Sequence, residues 1–141
     1  MLDKISELTI LQLLWEEVVT TSTVMKEFGK PLPEWVIIKD VENIIYQKIL
    51  EIEVGKGEAS TIALGLEIPD SILVLDDWKA RKLAKKLQLQ FTGTFGLIIK
   101  AKKTGKISSV KPILGKIRNT NFRFPPAMIN EVLKESGELF E

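Results

Sequence analysis

The chain has no cysteine and no histidine in its 141 residues. Those two absences exclude thiolate and imidazole zinc sites, disulfide scaffolds, Cys or Ser–His nucleophiles and histidine acid–base chemistry. Any chemistry must rest on carboxylates, lysine, hydroxyls or a hard metal ion. No run approaches the ~18 consecutive apolar residues of a membrane span, and no export signal of the usual pattern opens the chain. The expected setting is therefore cytoplasmic and reducing, with no membrane partner. No Gly/Ser-rich or Pro-rich linker and no internal repeat divides the sequence. Length and the 45% hydrophobic content predict one compact domain over 1–141.

Acidic residues are also missing where basic ones are dense. Residues 78–130 carry 13 basic side chains and no acidic one, whereas residues 1–77 carry 6 basic and 15 acidic. The net charge of +1 hides this asymmetry. It points to a polyanionic partner beside an acidic half that could hold a metal; solvated basic helices are the bland alternative.

Periodicity predicts an amphipathic helix over 2–15, with Leu2, Ile5, Leu8, Leu11 and Trp15 on one face. A strand at Val18–Thr20, a helix from Val24 to Phe28 ended by Gly29, and a strand at Trp35–Ile38 follow. Val41–Glu53 is expected to be helical, with Ile44, Ile45, Ile49 and Ile52 on one side. The next helix starts near Glu58, with Ile62, Ala63 and Leu66 as its stripe. Ser71–Leu75 is apolar without alternation, which predicts a strand covered on both faces. Asp77 opens a basic helix with Trp78, Leu83, Ala84 and Leu87 expected inside. A strand at Gln90–Thr92 and helices over 94–103, to Arg118 and over 126–135 complete the chain. Short strands separated by helices predict a three-layer α/β sandwich with a mostly parallel sheet. Ligands of such sheets sit beyond the carboxyl ends of the strands.

Several residues stand out on that edge. Asp76 and Asp77 end the apolar strand, where paired acids suit a hard cation such as Mg²⁺. Asp77 is equally well placed as a plain helix cap. Glu58 sits in a first helical turn, where the dipole favours a carboxylate whatever its role. Glu27, taken alone, reads as a solvated acid on a short helix. Gly55-Lys56-Gly57 lacks the spacing and the Lys-Ser/Thr ending of a phosphate loop. Lys79, Arg81, Lys82, Lys85 and Lys86 are too dense for a buried face, and Lys100, Lys102, Lys103 and Lys106 extend the pattern. Backbone phosphates are their natural target. Few aromatics interleave with them, so a stacking platform for bases is not expected.

The order of the pieces resembles a PIN-like subfamily. The resemblance lies in Gly57-Glu58-Ala59-Ser60-Thr61-Ile62-Ala63-Leu64, then Ile72-Leu73-Val74-Leu75-Asp76-Asp77, then Ala80-Arg81 and Ala84. It continues through Phe91-Thr92-Gly93-Thr94, Gly96, Lys100-Ala101-Lys102 and Gly105-Lys106-Ile107, and upstream Thr21 to Phe28 resembles a "T-x-x-V-x-x-E" segment. What this implies is a PIN fold and a Mg²⁺- or Mn²⁺-dependent ribonuclease, with many relatives acting as toxins of type II toxin–antitoxin pairs. Carried over, Glu27, Glu58 and Asp76 match the acidic metal site, with Asp77 beside it. RNA and an antitoxin protein are the implied partners.

The pattern departs from the family at one place. The family normally opens with a strand ending in Asp, the first metal ligand, whereas Asp3 follows no apolar strand. The resemblance places that strand between Val18–Thr20 and Ile72–Leu75. Its absence predicts that these strands pair directly or that a second copy covers their edges, an oligomer being the expected remedy. It also predicts weak nuclease activity at best, with a non-catalytic protein that binds RNA or a protein partner as the alternative. A phospho-accepting receiver domain fails on order, because its acid pair follows the first strand.

Overall fold

A computed structural model describes residues 2–122 and 124–139. Met1 lies outside them, as does the side chain of Ile5, expected above on a helix face. After a 3₁₀ turn at Asp3–Ile5 come α1 (Thr9–Leu14), β1 (Val18–Thr20), α2 (Ser22–Phe28), β2 (Val36–Ile38), α3 (Ile44–Leu50) and α4 (Lys56–Glu67). β3 (Ile72–Val74), α5 (Trp78–Lys86), β4 (Gln90–Thr92), α6 (Thr94–Lys103), α7 (Lys111–Arg118) and α8 (Ala127–Glu135) complete the order. The chain is an α/β protein with parallel strands. No helix among the described residues is long and apolar enough to cross a membrane.

Two compact units divide the chain, one of residues 17–93 and one of residues 1–16 with 94–141. The 17–93 unit holds all four described strands. β1 pairs with β2 in parallel, Val18 opposite Val36, and β3 pairs with β4 in parallel, Ile72 opposite Gln90. Each pair is joined through a helix, as parallel neighbours require. Among the described residues these are two separate two-stranded sheets. The direct pairing of β1 with β3 is therefore not seen.

α4 is the hub of this unit, packed on α2, α3, α5 and β3. Its core joins Ile62 and Ala59 of α4 to Val54, Leu73, Leu75, Ala80 and Ala84. Leu73 and Leu75 point inward, while Ile72 and Val74 are each 39% exposed. β3 is thus covered on one face, because successive side chains of a strand alternate. Leu66 is exposed too.

The isoleucines of α3 also face out. The Asn43 side chain accepts from Ile45 N–H at 3.0 Å and starts the helix there, three residues later than the sequence predicts. Gln47 is buried and Leu50 packs on the α4 core, while Ile44, Ile45, Ile49 and Ile52 lie exposed. The periodicity was that of a helix, but the inward side is the Gln47–Leu50 side. Asp40 accepts from Ser22 N–H at 2.9 Å and from its hydroxyl at 2.7 Å, which holds its carboxyl below the usual range. Glu67 is lowered likewise, by the backbone N–H groups of Glu42 and Asn43.

In the other unit, α1 packs on α6, and the core gathers Leu2, Ile10, Leu97, Ile98, Val110 and Ile117. The predicted helix over 2–15 breaks at Ser6, which takes a left-handed φ of 56°. Glu138 is buried, and its carboxylate accepts from Ser109 Oγ and, at 2.8 Å, from Val110 N–H at the start of α7. Lys102 Nζ lies 3.5 Å away. Burial raises the Glu138 pKa, but the bonds from Ser109 and Val110 and the Lys102 charge outweigh it, so the net direction is down. A lowered folded pKa contributes stability above the unfolded glutamate value, near ~4.3. That contribution fades as pH falls through and below that value. Urea unfolding from pH 6 to 3 should therefore show the advantage of the parent over Glu138→Gln shrinking as pH drops, and a constant gap would contradict this.

Candidate functional site: two carboxylates on one helix start

Thr21, Ser22 and Thr23 offer capping hydroxyls before a short apolar helix, and Thr21 is the one used. Its Oγ1 accepts from Val24 N–H at 3.1 Å. Gly29 closes α2 at a left-handed φ of 71°, which suits a residue without Cβ. Glu27 sits in the last turn. Its Oε1 accepts from Gly57 N–H of α4 at 3.1 Å, thirty residues on.

At Gly57 a side chain would displace the Glu27 carboxylate. A Cβ would overlap Glu27 Oε2 and lie 3.0 Å from its carboxyl carbon. Glu58 folds back in a similar way, with Oε2 2.6 Å from where a Cβ on Gly55 would stand. Both carboxylates thus meet the first turn of α4, whose N–H groups and dipole favour negative charge.

Two buried hydroxyls fix α2 against α4. Ser60 Oγ donates to Gly57 O at 2.7 Å and lies 2.7 Å from Thr21 Oγ1. A hydroxyl has one proton, so Thr21 is the donor to Ser60. The chain Thr21 to Ser60 to Gly57 holds in place the segment that receives Glu27. Thr21→Val keeps the shape but removes the α2 cap and the donor to Ser60. It should cost about 2 kcal/mol, read as a lower urea midpoint; an unchanged midpoint would refute this role.

Asp76 and Asp77 follow β3. Asp77 Oδ2 accepts from Ala80 N–H at 3.0 Å and caps α5. Asp76 is half-buried and faces Gly93, its Oδ1 2.9 Å and Arg81 Nη1 3.1 Å from where a Cβ on Gly93 would stand. Arg81 also lies over the Phe91 ring, 5.3 Å from its centroid. Among the described residues, no three or more acidic side chains form a group able to hold a metal ion. The structure thus brings Glu27 and Glu58 to one helix start and leaves Asp76 outside a three-carboxylate set.

A family model described as a PIN domain matches residues 1–138. The chain belongs to the PIN-domain family. Neither the curated proteins nor the solved structures gave a match.

The PIN fold is typically that of a metal-dependent nuclease, and PIN domains generally use divalent metals. The donor chemistry here fits such an ion, since the site offers carboxylate oxygens and no soft ligand. One or two protein carboxylates, completed by water and substrate phosphate, are also what Mg²⁺ ordinarily takes.

Lys79, Arg81, Lys82, Lys85 and Lys86 are exposed on α5, as their density predicts. Lys100 and Lys103 are exposed on α6, with Lys100 Nζ 5.0 Å from the Trp15 ring centroid. Lys102 is engaged within its own unit, donating to Ser108 O at 2.7 Å. Trp78 reverses an expectation, being 69% exposed. Ala80 and Ala84 set the buried face of α5, and a residue two before Ala80 points about 200° away from it. That offset is the signal for its exposure in the sequence. No local signal links Gly57 to Glu27, or Ser60 to Thr21, because each pair is 30 or more positions apart.

Proposed function

We propose that this PIN-domain chain is a metal-dependent endoribonuclease of toxin-like type, acting on RNA phosphodiesters. The observation that carries the reading is the pair of carboxylates, Glu27 and Glu58, drawn onto the first turn of α4. They are the residues to hold Mg²⁺ or Mn²⁺; Asp76 and Asp77, the other acids of the family motif, stand apart from that pair at the end of β3, where Asp77 caps α5. When bound, the ion supplies Lewis-acid stabilisation of charge developing on a phosphodiester. The role of Lys79, Lys82, Lys85 and Lys86 is to hold the RNA backbone by point-charge contacts. An antitoxin protein and a second copy of the chain belong to the same reading, which the exposed isoleucines of α3 support.

A non-catalytic reading has its own observation. Three acids do not group among the described residues, which favours a PIN domain that binds RNA or a protein without cutting. One experiment separates the two. End-labelled single-stranded RNA is incubated with the chain in millimolar Mn²⁺ and in EDTA. Cleavage in Mn²⁺ that EDTA abolishes supports the nuclease. RNA that is bound but stays intact in Mn²⁺ rejects it in favour of the second reading.

A further inference from the structure

Folding leaves a groove of about 380 Å³ in the 17–93 unit, between the segment after α3 and the outer face of α5. Its apolar lining is Ile52, Val54, Trp78 and Leu83, and Lys79, Lys82 and Lys86 line it as well. Ile52 is 83% exposed and Trp78 69% exposed, so an aliphatic and an aromatic surface both stand open to solvent. Glu53 is the one acidic residue of the lining.

We propose that this groove is a nucleotide subsite for single-stranded RNA, in which Trp78 stacks one unpaired base and Lys79, Lys82 and Lys86 meet the flanking phosphates. The inference rests on RNA being the ligand of the proposed function and deepens it. Three observations select this occupant. The volume lies at the small end of ligand pockets, roughly 300–1,000 Å³, which suits one nucleoside better than the several anchors of an amphipathic peptide helix. A flat ring held between an indole and aliphatic side chains is how unpaired bases are gripped. The three lysines recur at i, i+3 and i+7 on α5, spanning roughly 10 Å of helix axis. At ~3.4 Å per phosphate of one stacked strand, that length faces about three phosphates.

Lys82 Nζ lies over the Trp78 ring, 5.0 Å from its centroid, so a stacked base takes the other face of the indole or displaces that cation. A duplex cannot use the subsite without unpairing a base.

The test measures binding without cleavage. Fluorescence anisotropy of a labelled single-stranded oligonucleotide is recorded in EDTA with the parent chain, Trp78→Ala and Trp78→Phe. The same variants are titrated with duplex RNA and with inorganic polyphosphate. Trp78→Ala should weaken single-strand binding about five- to 150-fold, the range expected for loss of one base–aromatic stack. Trp78→Phe should recover part of it, and duplex and polyphosphate binding should hardly change. Single-strand binding unaltered by Trp78→Ala overturns the subsite. An equal loss for all three polyanions overturns it too, because that marks a general charge effect. An acidic amphipathic peptide that displaces the oligonucleotide at lower concentration than unlabelled RNA assigns the groove to a protein instead. Because metal is absent, a chain that fails to cleave but binds through Trp78 loses the nuclease reading and keeps the subsite. A chain that cleaves but ignores Trp78 does the reverse.

Discussion

Gly57→Ala should lower Mn²⁺-dependent RNA cleavage by about 100-fold while leaving the melting temperature unchanged or slightly raised. The added Cβ would occupy the space of the Glu27 carboxylate. The group displaced is the end of a flexible, exposed side chain, so it can swing into solvent at little cost to the fold. Helix propensity adds a small gain, since Ala in a helix is favoured over Gly by up to about 1 kcal/mol. What is lost is the bond from Gly57 N–H and the position of one carboxylate relative to Glu58. A displacement of about 1 Å in such a site can cost about 100-fold in rate. Cleavage and thermal melting of the same preparations check both halves. Undiminished cleavage would show that Glu27 is not held for the reaction.

Ile62→Ala should cost about 2–5 kcal/mol, the range for removing a large aliphatic side chain from a packed interior. Ile62 is wholly buried and is the largest side chain that α4 contributes to the core with Leu73, Leu75, Ala80 and Ala84. The loss is large against the ~5–15 kcal/mol that stabilises a typical protein. Ile62 lies four residues beyond Glu58 on the same helix, so the variant loosens the element on which both carboxylates converge. Urea unfolding measures the change. A cost below 1 kcal/mol would mean that α4 is not the packing centre of its unit.

The elements that could be read from the sequence carry their own boundaries. α2 was legible because a capping hydroxyl opens it and a glycine closes it. α6 follows the strand at Gln90–Thr92 and runs over 94–103 as predicted. What periodicity could not supply was the inward direction. The isoleucines of α3 form a stripe as regular as any core face, yet Gln47 and Leu50 turn inward because α4 lies on that side. β3 reads as covered on both faces because all its residues are apolar, but only Leu73 finds a helix to pack on. The amphipathic pattern over 2–15 hid a break at Ser6, since one left-handed residue leaves no trace in hydrophobic spacing.

The site was legible only through the family motifs. Locally, Glu27 is one of two charged residues on a short helix, and only the backbone N–H of Gly57, thirty positions away, gives it a place. Asp77 did act as the cap its position allowed. The packing of Asp76 and Arg81 about Gly93 depends on β3 and β4 lying side by side, which no spacing encodes.

Isothermal titration of Mn²⁺ into the parent chain and into the double variant Glu27→Gln/Glu58→Gln tests the central claim most directly. Both substitutions preserve side-chain size, and circular dichroism verifies that the variant is folded. The carboxylates gathered on the first turn of α4 predict saturable binding to the parent that is lost in the double variant. Equal binding by both chains, or none by the parent, would contradict the assignment of that helix start as the metal site.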